Sequence, residues 1–378
     1  MGAELVLGMI RQLFISTRLF MLANNSCRHY QPRYYLNIWV ETNSTCDGCG
    51  VTMRNLYLDQ LKGLAIIAVV FIHALEPAIT SSGFSQLVAV LLRQPIDFAV
   101  AIFLALAGYF GRPKTGVNAT RYILHRMLRV VPPYVFFTFI YLLLINPSFL
   151  VSVKAVIMSL ATGTGMTIGY FVVVLCQYIV LTPLLVRLSD RAQFGLIVLG
   201  TIFGLTWTYY ARLYGEGRWA EFPYYALPFF AWAPFYQLGL FMSVRSSPQT
   251  TTSVVVLLGG LALSVVEALY WLHFGLESLA ASQIRFSSYL FSVGIFLTGF
   301  AFSNRHASAS GALVWLGNRT YPIFLGHLLV LWPVQAILGA TLSAVLIAGV
   351  TTLGVCVSMV WGVELALSKR SRKFLLGM

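Results

Sequence analysis

Four ionisable residues fall within one otherwise apolar stretch, LYLDQLKGLAIIAVVFIHALEP: Asp59, Lys62, His73 and Glu76. An ionisable group inside a long apolar segment costs several kcal/mol unless it is paired or wet, so each is a functional candidate. On a helix turning ~100° per residue, Asp59 lies about +60°, His73 about +20° and Glu76 about −40° from Lys62. All four therefore share one face. Lys62 and His73 are separated by a rise of roughly 16 Å, so they serve different depths. Lys62 suits an anionic group at one end, and His73 suits a general base or nucleophile deeper in. The plain alternative is a packing histidine, with Asp59 and Lys62 as an interfacial ion pair.

A second basic set, Arg121, His125, Arg126 and Arg129, precedes Val130, Val131, Pro132, Pro133 and Tyr134. Arg126 and Arg129 are one helical turn apart and can fork onto a phosphate or diphosphate. Basic clusters of this kind also anchor anionic headgroups or set topology. Asp97 opens another apolar segment and is a candidate orienting acid for His73 or Glu76, or else a helix N-terminal acid stabilised by the dipole. No His, Asp, Glu or Cys set has metal-ligand spacing, so no metal is expected. Cys46 and Cys49 form a CxxC without a second pair, and the five cysteines give no disulfide framework.

The elements that position these residues are apolar throughout. With 58% hydrophobic and 10% charged residues in 378, the chain is far too apolar for a soluble domain of this length. Ten spans are expected, at 57–77, 95–111, 130–147, 168–186, 194–212, 223–243, 253–273, 283–302, 320–338 and 342–365, giving an all-α polytopic membrane bundle. Residues 148–167 read as a re-entrant or interfacial helix or an eleventh span. The net charge of +13 would raise nucleic-acid binding in a soluble protein, but here it reads as topology. With both ends of the core in the cytoplasm, sixteen Lys and Arg residues fall inside and five, Arg93, Lys154, Arg212, Arg218 and Arg285, fall outside. Residues 1–53 read as an extension dispensable for activity or a misplaced start, 54–366 as the membrane domain, and 367–378 as a basic cytoplasmic tail.

The segment YLDQLKGLAIIAVVFIHA resembles the opening signature of the membrane acyltransferase 3 family. DFAVAIFLALAGYF, HRMLRVVPPY and LGNRTYPIFLGHLLV are similar, in order, to its second-helix motif, its Arg-x-x-Arg plus Pro-Pro segment and its late helix with Tyr and His. The resemblance implies a ten-helix fold, acyl-CoA as cytoplasmic co-substrate with no tightly bound cofactor, and transfer of an acetyl or related group to an extracytoplasmic carbohydrate. It maps the family's first basic residue and histidine onto Lys62 and His73, its arginines onto Arg126 and Arg129, and its late histidine onto His327. His327 falls about two turns inside the cytoplasmic end of its span, which suits the donor side. The chain departs from the pattern at Lys62, where Arg is usual, and at Ala107, where a serine is common. A transporter or flippase for a lipid-linked sugar or organic anion would use the same charges as a path. An assembly subunit would not need a four-residue polar face.

The charge asymmetry predicts that a single cysteine placed in the 112–129 segment reacts with an impermeant thiol reagent only after the cells are opened. Labelling of intact cells would invert the orientation.

Overall fold

The computed structural model describes residues 55–114, 116–145, 147–303 and 310–377. The expectations for residues 1–53, including Cys46 and Cys49, lie outside the described residues. Every described element is helical. Eight stretches are long and apolar enough to cross a membrane. They are α1 (Leu56–Ala74), α3 to α4 (Phe84–Tyr109), α5 (Ala119–Leu144), α8 (Asp190–Leu213), α10 (Thr250–His273), α12 (Phe286–Ser303), α14 (Thr320–Leu338) and α15 (Leu342–Ala366). The 17 residues of α7 (Gly169–Leu185) stand at the lower limit of roughly 17 for a span. The polytopic helical bundle expected from composition is present.

Several boundaries differ from the sequence reading, among them the third span, which starts at Ala119 and not at 130. The second span starts at Phe84 and not at 95, in two helices, α3 (Phe84–Arg93) and α4 (Ala99–Tyr109), joined by a 3₁₀ turn at Gln94–Ile96. This moves Arg93 from an outer loop into the bundle, where it is buried. The expected span at 223–243 is not a continuous helix. It consists of 3₁₀ turns at Tyr224–Ala226 and Phe229–Trp232 followed by α9 (Ala233–Met242). Pro223, Pro228 and Pro234 explain this, because each removes a backbone donor and clashes with the preceding turn. Neighbouring side chains satisfy the broken backbone: Gln177 donates to the Leu227 carbonyl, Trp207 to Tyr225, and Trp232 to Ala226. The 148–167 segment holds α6 (Val153–Thr162), ten residues long, which rises only about 15 Å and cannot cross. Its Val153, Ile157 and Met158 are exposed, as an interfacial or re-entrant helix requires.

α1 is the centre of the bundle, touching α4, α12, α14, α15 and the short α13 (Gly311–Gly317). Close approach is achieved with glycine. A Cβ on Gly63 would meet the Leu313 carbonyl and one on Gly317 the Asp59 carbonyl, so α13 lies flush against the Asp59–Lys62 turn of α1. The same device joins α4 to α9, where a Cβ on Gly108 would meet the Tyr236 carbonyl and one on Gly239 the Ala105 carbonyl. The remaining short helices are α2 (Glu76–Ile79), α11 (Glu277–Ala280) and α16 (Lys369–Leu376). The expected tail is thus a helix, and it packs on α5.

Gly239→Val is expected to lower stability by about 1–3 kcal/mol, the usual cost of overpacking, read as thermal unfolding in detergent. Gly354→Ala, whose added Cβ would meet nothing within 4 Å, is the control and should not lower the unfolding temperature.

Candidate active site

The polar face of α1 resolves into two hydrogen-bonded stations. At the Lys62 end, Nζ lies 3.0 Å from Asp59 Oδ1 and 4.7 Å from the centroid of the Phe110 ring. Phe110 caps α4, and its carbonyl accepts from Arg126 Nη2. Helix α5 thereby brings Arg126 to the same residue that Lys62 covers. Tyr122 donates 2.7 Å to the neighbouring Gly111 carbonyl and lies under the Arg126 guanidinium. Arg129, one turn on, bonds through Nη2 to His125 Nε2 at 3.0 Å. The structure therefore assembles Lys62 and Arg126, with Arg129 and His125 beside them on α5, into a basic cluster at one end of the bundle.

At the other end, His73 Nδ1 lies 2.8 Å from Glu76 Oε1. A carboxylate only accepts, so Nδ1 carries the proton and Nε2 keeps a lone pair. The pair has the orientation a general base needs, with the acid fixing the tautomer. Glu76 is not on α1 itself, because the helix ends at Ala74 and α2 restarts at Glu76. Pro77 is the reason for the break, since it offers no N–H to the carbonyl four residues back, that of His73.

His327 sits 5.3 Å from His73 between ring centroids. Its Nδ1 lies 2.7 Å from the Phe324 carbonyl, so it too carries hydrogen at Nδ1, and its buried Nε2 has no partner among the described residues. The donor-side role expected for His327 fits poorly with this placement, which is against His73. Asp97 also differs from expectation. It is fully buried and bonds to Arg93 Nε at 2.8 Å, with Arg285 Nη2 at 3.8 Å from its other oxygen. It meets His73 only at second hand, because Arg93 Nη1 goes on to the Ile72 carbonyl at 3.1 Å.

Several residues of this region were not anticipated. Arg285, read as an outer-face charge, is wholly buried and bonds to Ser288, the Ala280 carbonyl, Gln94 and Ser264. Gln335 of α14 donates to the Ala74 carbonyl at 3.1 Å. Glu267 accepts from Tyr209, Trp271 and the Ser287 amide, tying α10 to α8 and α12. The signal for Arg93 was its i,i+4 spacing to Asp97, hidden by starting the span at 95, eleven residues after its true start at Phe84. No group of three His, Cys, Asp or Glu able to hold a metal occurs among the described residues.

The central span thus carries two polar stations, with flanking arginines and a second histidine. The chain belongs to the acyltransferase 3 family: the family's acyltransferase domain matches residues 55–361. It is thus a membrane acyltransferase, and the transport reading loses its support. No curated protein and no solved structure matches it.

Glu76→Gln should reduce turnover mildly, because the amide oxygen can still accept from Nδ1. Glu76→Leu should cost at least tenfold more, since it frees the tautomer. Equal turnover in both variants, measured per folded enzyme, would show that Glu76 does not hold the ring.

Proposed function

We propose that this acyltransferase moves an acyl group, expected to be acetyl, from acyl-CoA at the cytoplasmic face of the plasma membrane to a hydroxyl of an extracytoplasmic carbohydrate. The observation that carries the reading is the pair of stations roughly 16 Å apart along α1. Lys62, Arg126 and Arg129 cluster at one end, and the His73–Glu76 dyad with His327 stands at the other. A CoA donor has that same polarity: an anionic phosphate end and a distant thioester. Guanidinium and ammonium groups bind phosphate by charge-assisted hydrogen bonds, so the basic end is the donor's anchor.

At the other end, His73 Nε2 takes the proton of the acceptor hydroxyl as its oxygen attacks the thioester carbonyl. The C–S bond breaks, the CoA thiolate leaves, and the proton returns to sulfur from the imidazolium. Attack by Nε2 itself, followed by transfer to the acceptor, gives the same products and uses the same lone pair. His327, packed on His73, belongs to this end in either route. Both ends of the core face the cytoplasm in this reading, as the basic residues between spans favour. The acceptor meets the His73 end from outside.

His73→Ala is expected to lower turnover by ~10²–10⁴-fold, the usual worth of general-base help, while acyl-CoA binding by the purified protein is kept. Arg126→Ala and Arg129→Ala should instead weaken acyl-CoA binding, and Lys at either position should restore it only in part. Near-normal turnover of His73→Ala with acyl-CoA and a glycan acceptor would end the catalytic assignment. Unchanged donor affinity in both arginine variants would leave them as topology signals alone.

A further inference from the structure

Two side chains from different helices bond the carbonyl end of α1, and neither is in the dyad or in the basic cluster. Arg93 Nη1 reaches the Ile72 carbonyl at 3.1 Å, and Gln335 Nε2 reaches the Ala74 carbonyl at 3.1 Å and the His73 carbonyl at 3.5 Å. These carbonyls belong to His73 and to the residues on either side of it. We propose that Arg93 and Gln335 are positioning residues for His73, clasping the terminus of α1 so that the imidazole is held fixed against Glu76 and His327. The inference rests on the reading of His73 as the reacting group.

The need for a clasp follows from the chain break. Ala78, whose amide would continue the helix to Ala74, bonds instead to Leu75, and Pro77 has no amide hydrogen to give to His73. The terminus is also buried: Ile72, Ala74 and Leu75 are at most 2% exposed, so water is a poor substitute partner. A buried carbonyl without a donor costs free energy comparable to a lost hydrogen bond. Two long side chains meet that requirement, and each anchors the terminus to a different part of the bundle.

The Arg93 anchor is itself buried and bonded. Its Nε bonds to Asp97, which is fully buried and also faced by Arg285, and Arg285 is bonded to Gln94, Ser264, Ser288 and the Ala280 carbonyl. The carbonyl of Ile72 is thereby referenced to α3, α10 and the start of α12. Gln335 references Ala74 to α14, the helix that carries His327. His73 is thus placed relative to its ring neighbour through its own backbone, and Asp97 contributes through Arg93 and without touching the imidazole.

Lysine at position 93 keeps the charge but, as a single ammonium on a flexible stem, cannot hold Asp97 and the Ile72 carbonyl in one fork. Misplacement of a reacting group by about 1 Å can cost 10²-fold. Arg93→Lys is therefore expected to lower kcat at least tenfold with KM for acyl-CoA unchanged. Gln335→Met, similar in shape and without a charge change, is expected to lower kcat several-fold, and it decides the matter if Arg93→Lys does not fold. A second measurement is independent of transfer: the rate at which diethyl pyrocarbonate modifies His73, read by peptide mass spectrometry with the exposed His273 as internal reference. Both variants should change the His73 rate several-fold and leave His273 unchanged. A purely structural role would lower the yield of folded protein while kcat per folded molecule and His73 reactivity stayed at wild-type values, and that result would overturn the proposal. If His73→Ala retains turnover while the two variants still alter His73 reactivity, the catalytic reading falls and the positioning stands.

Discussion

The first span ends inside the protein, and most of the unusual chemistry near it follows from that one fact. Buried backbone polar groups must find partners within the protein, yet Pro77 interrupts the hydrogen-bond ladder at the buried end of α1. Leu75 keeps helical angles across the break, so Glu76 still meets the His73 ring at 2.8 Å with i,i+3 spacing. The break also leaves carbonyls that draw in Arg93 from α3 and Gln335 from α14. A continuous helix through residue 79 would make its own hydrogen bonds and would need neither side chain. The same solution recurs at residues 224–232, where prolines break the helix and Gln177, Trp207 and Trp232 supply the missing donors.

Bringing Arg93 to that terminus brings a charge with it, and the charge organises the next layer. Burial of a lone guanidinium is costly, whereas removing one partner of a buried pair typically costs about 3–5 kcal/mol. Asp97 supplies the counter-charge, and its second oxygen faces Arg285. Arg285 then places four hydrogen bonds on Gln94, Ser264, Ser288 and the Ala280 carbonyl. The cascade runs from one unsatisfied carbonyl to a network that joins α3, α10, α11 and α12. Glu267, with Tyr209, Trp271 and the Ser287 amide around it, supplies a second internal tie among α8, α10 and α12.

The bundle and the polar face were legible in the sequence for a common reason: both are properties of one segment and its period. Length and hydropathy mark a span whatever it packs against, and ~100° per residue places Asp59, Lys62, His73 and Glu76 together before any neighbour is known. The His73–Glu76 and Lys62–Asp59 pairs are both i,i+3, so they too are local. What escaped was set by contacts distant in sequence. Arg285 and Gln94 are 191 residues apart and meet only in the fold. Gln335 is 261 residues from Ala74. Arg93 and Arg285 looked like loop charges because buried arginine in an apolar segment is recognisable only once its partner is. His327 was placed by its depth along its own helix, which says nothing of the packing of α14 on α1 that brings it to His73.

Lysine at position 62, where the motif resemblance leads one to expect arginine, bears on how the basic end can work. Lys62 offers a point charge without a fork, and one of its hydrogens is committed to Asp59. The ammonium also stands over Phe110, whose carbonyl is the anchor of Arg126. The bidentate geometry absent at position 62 is therefore available one helix away, in a guanidinium fixed at the same residue. In the proposed reaction the planar recognition of a phosphate falls to Arg126 and Arg129. Lys62, held between Asp59 and an aromatic face, supplies field more than direction. In that reading the basic end depends on the meeting of α5 and α4 at Phe110, a contact that no motif on the first span records.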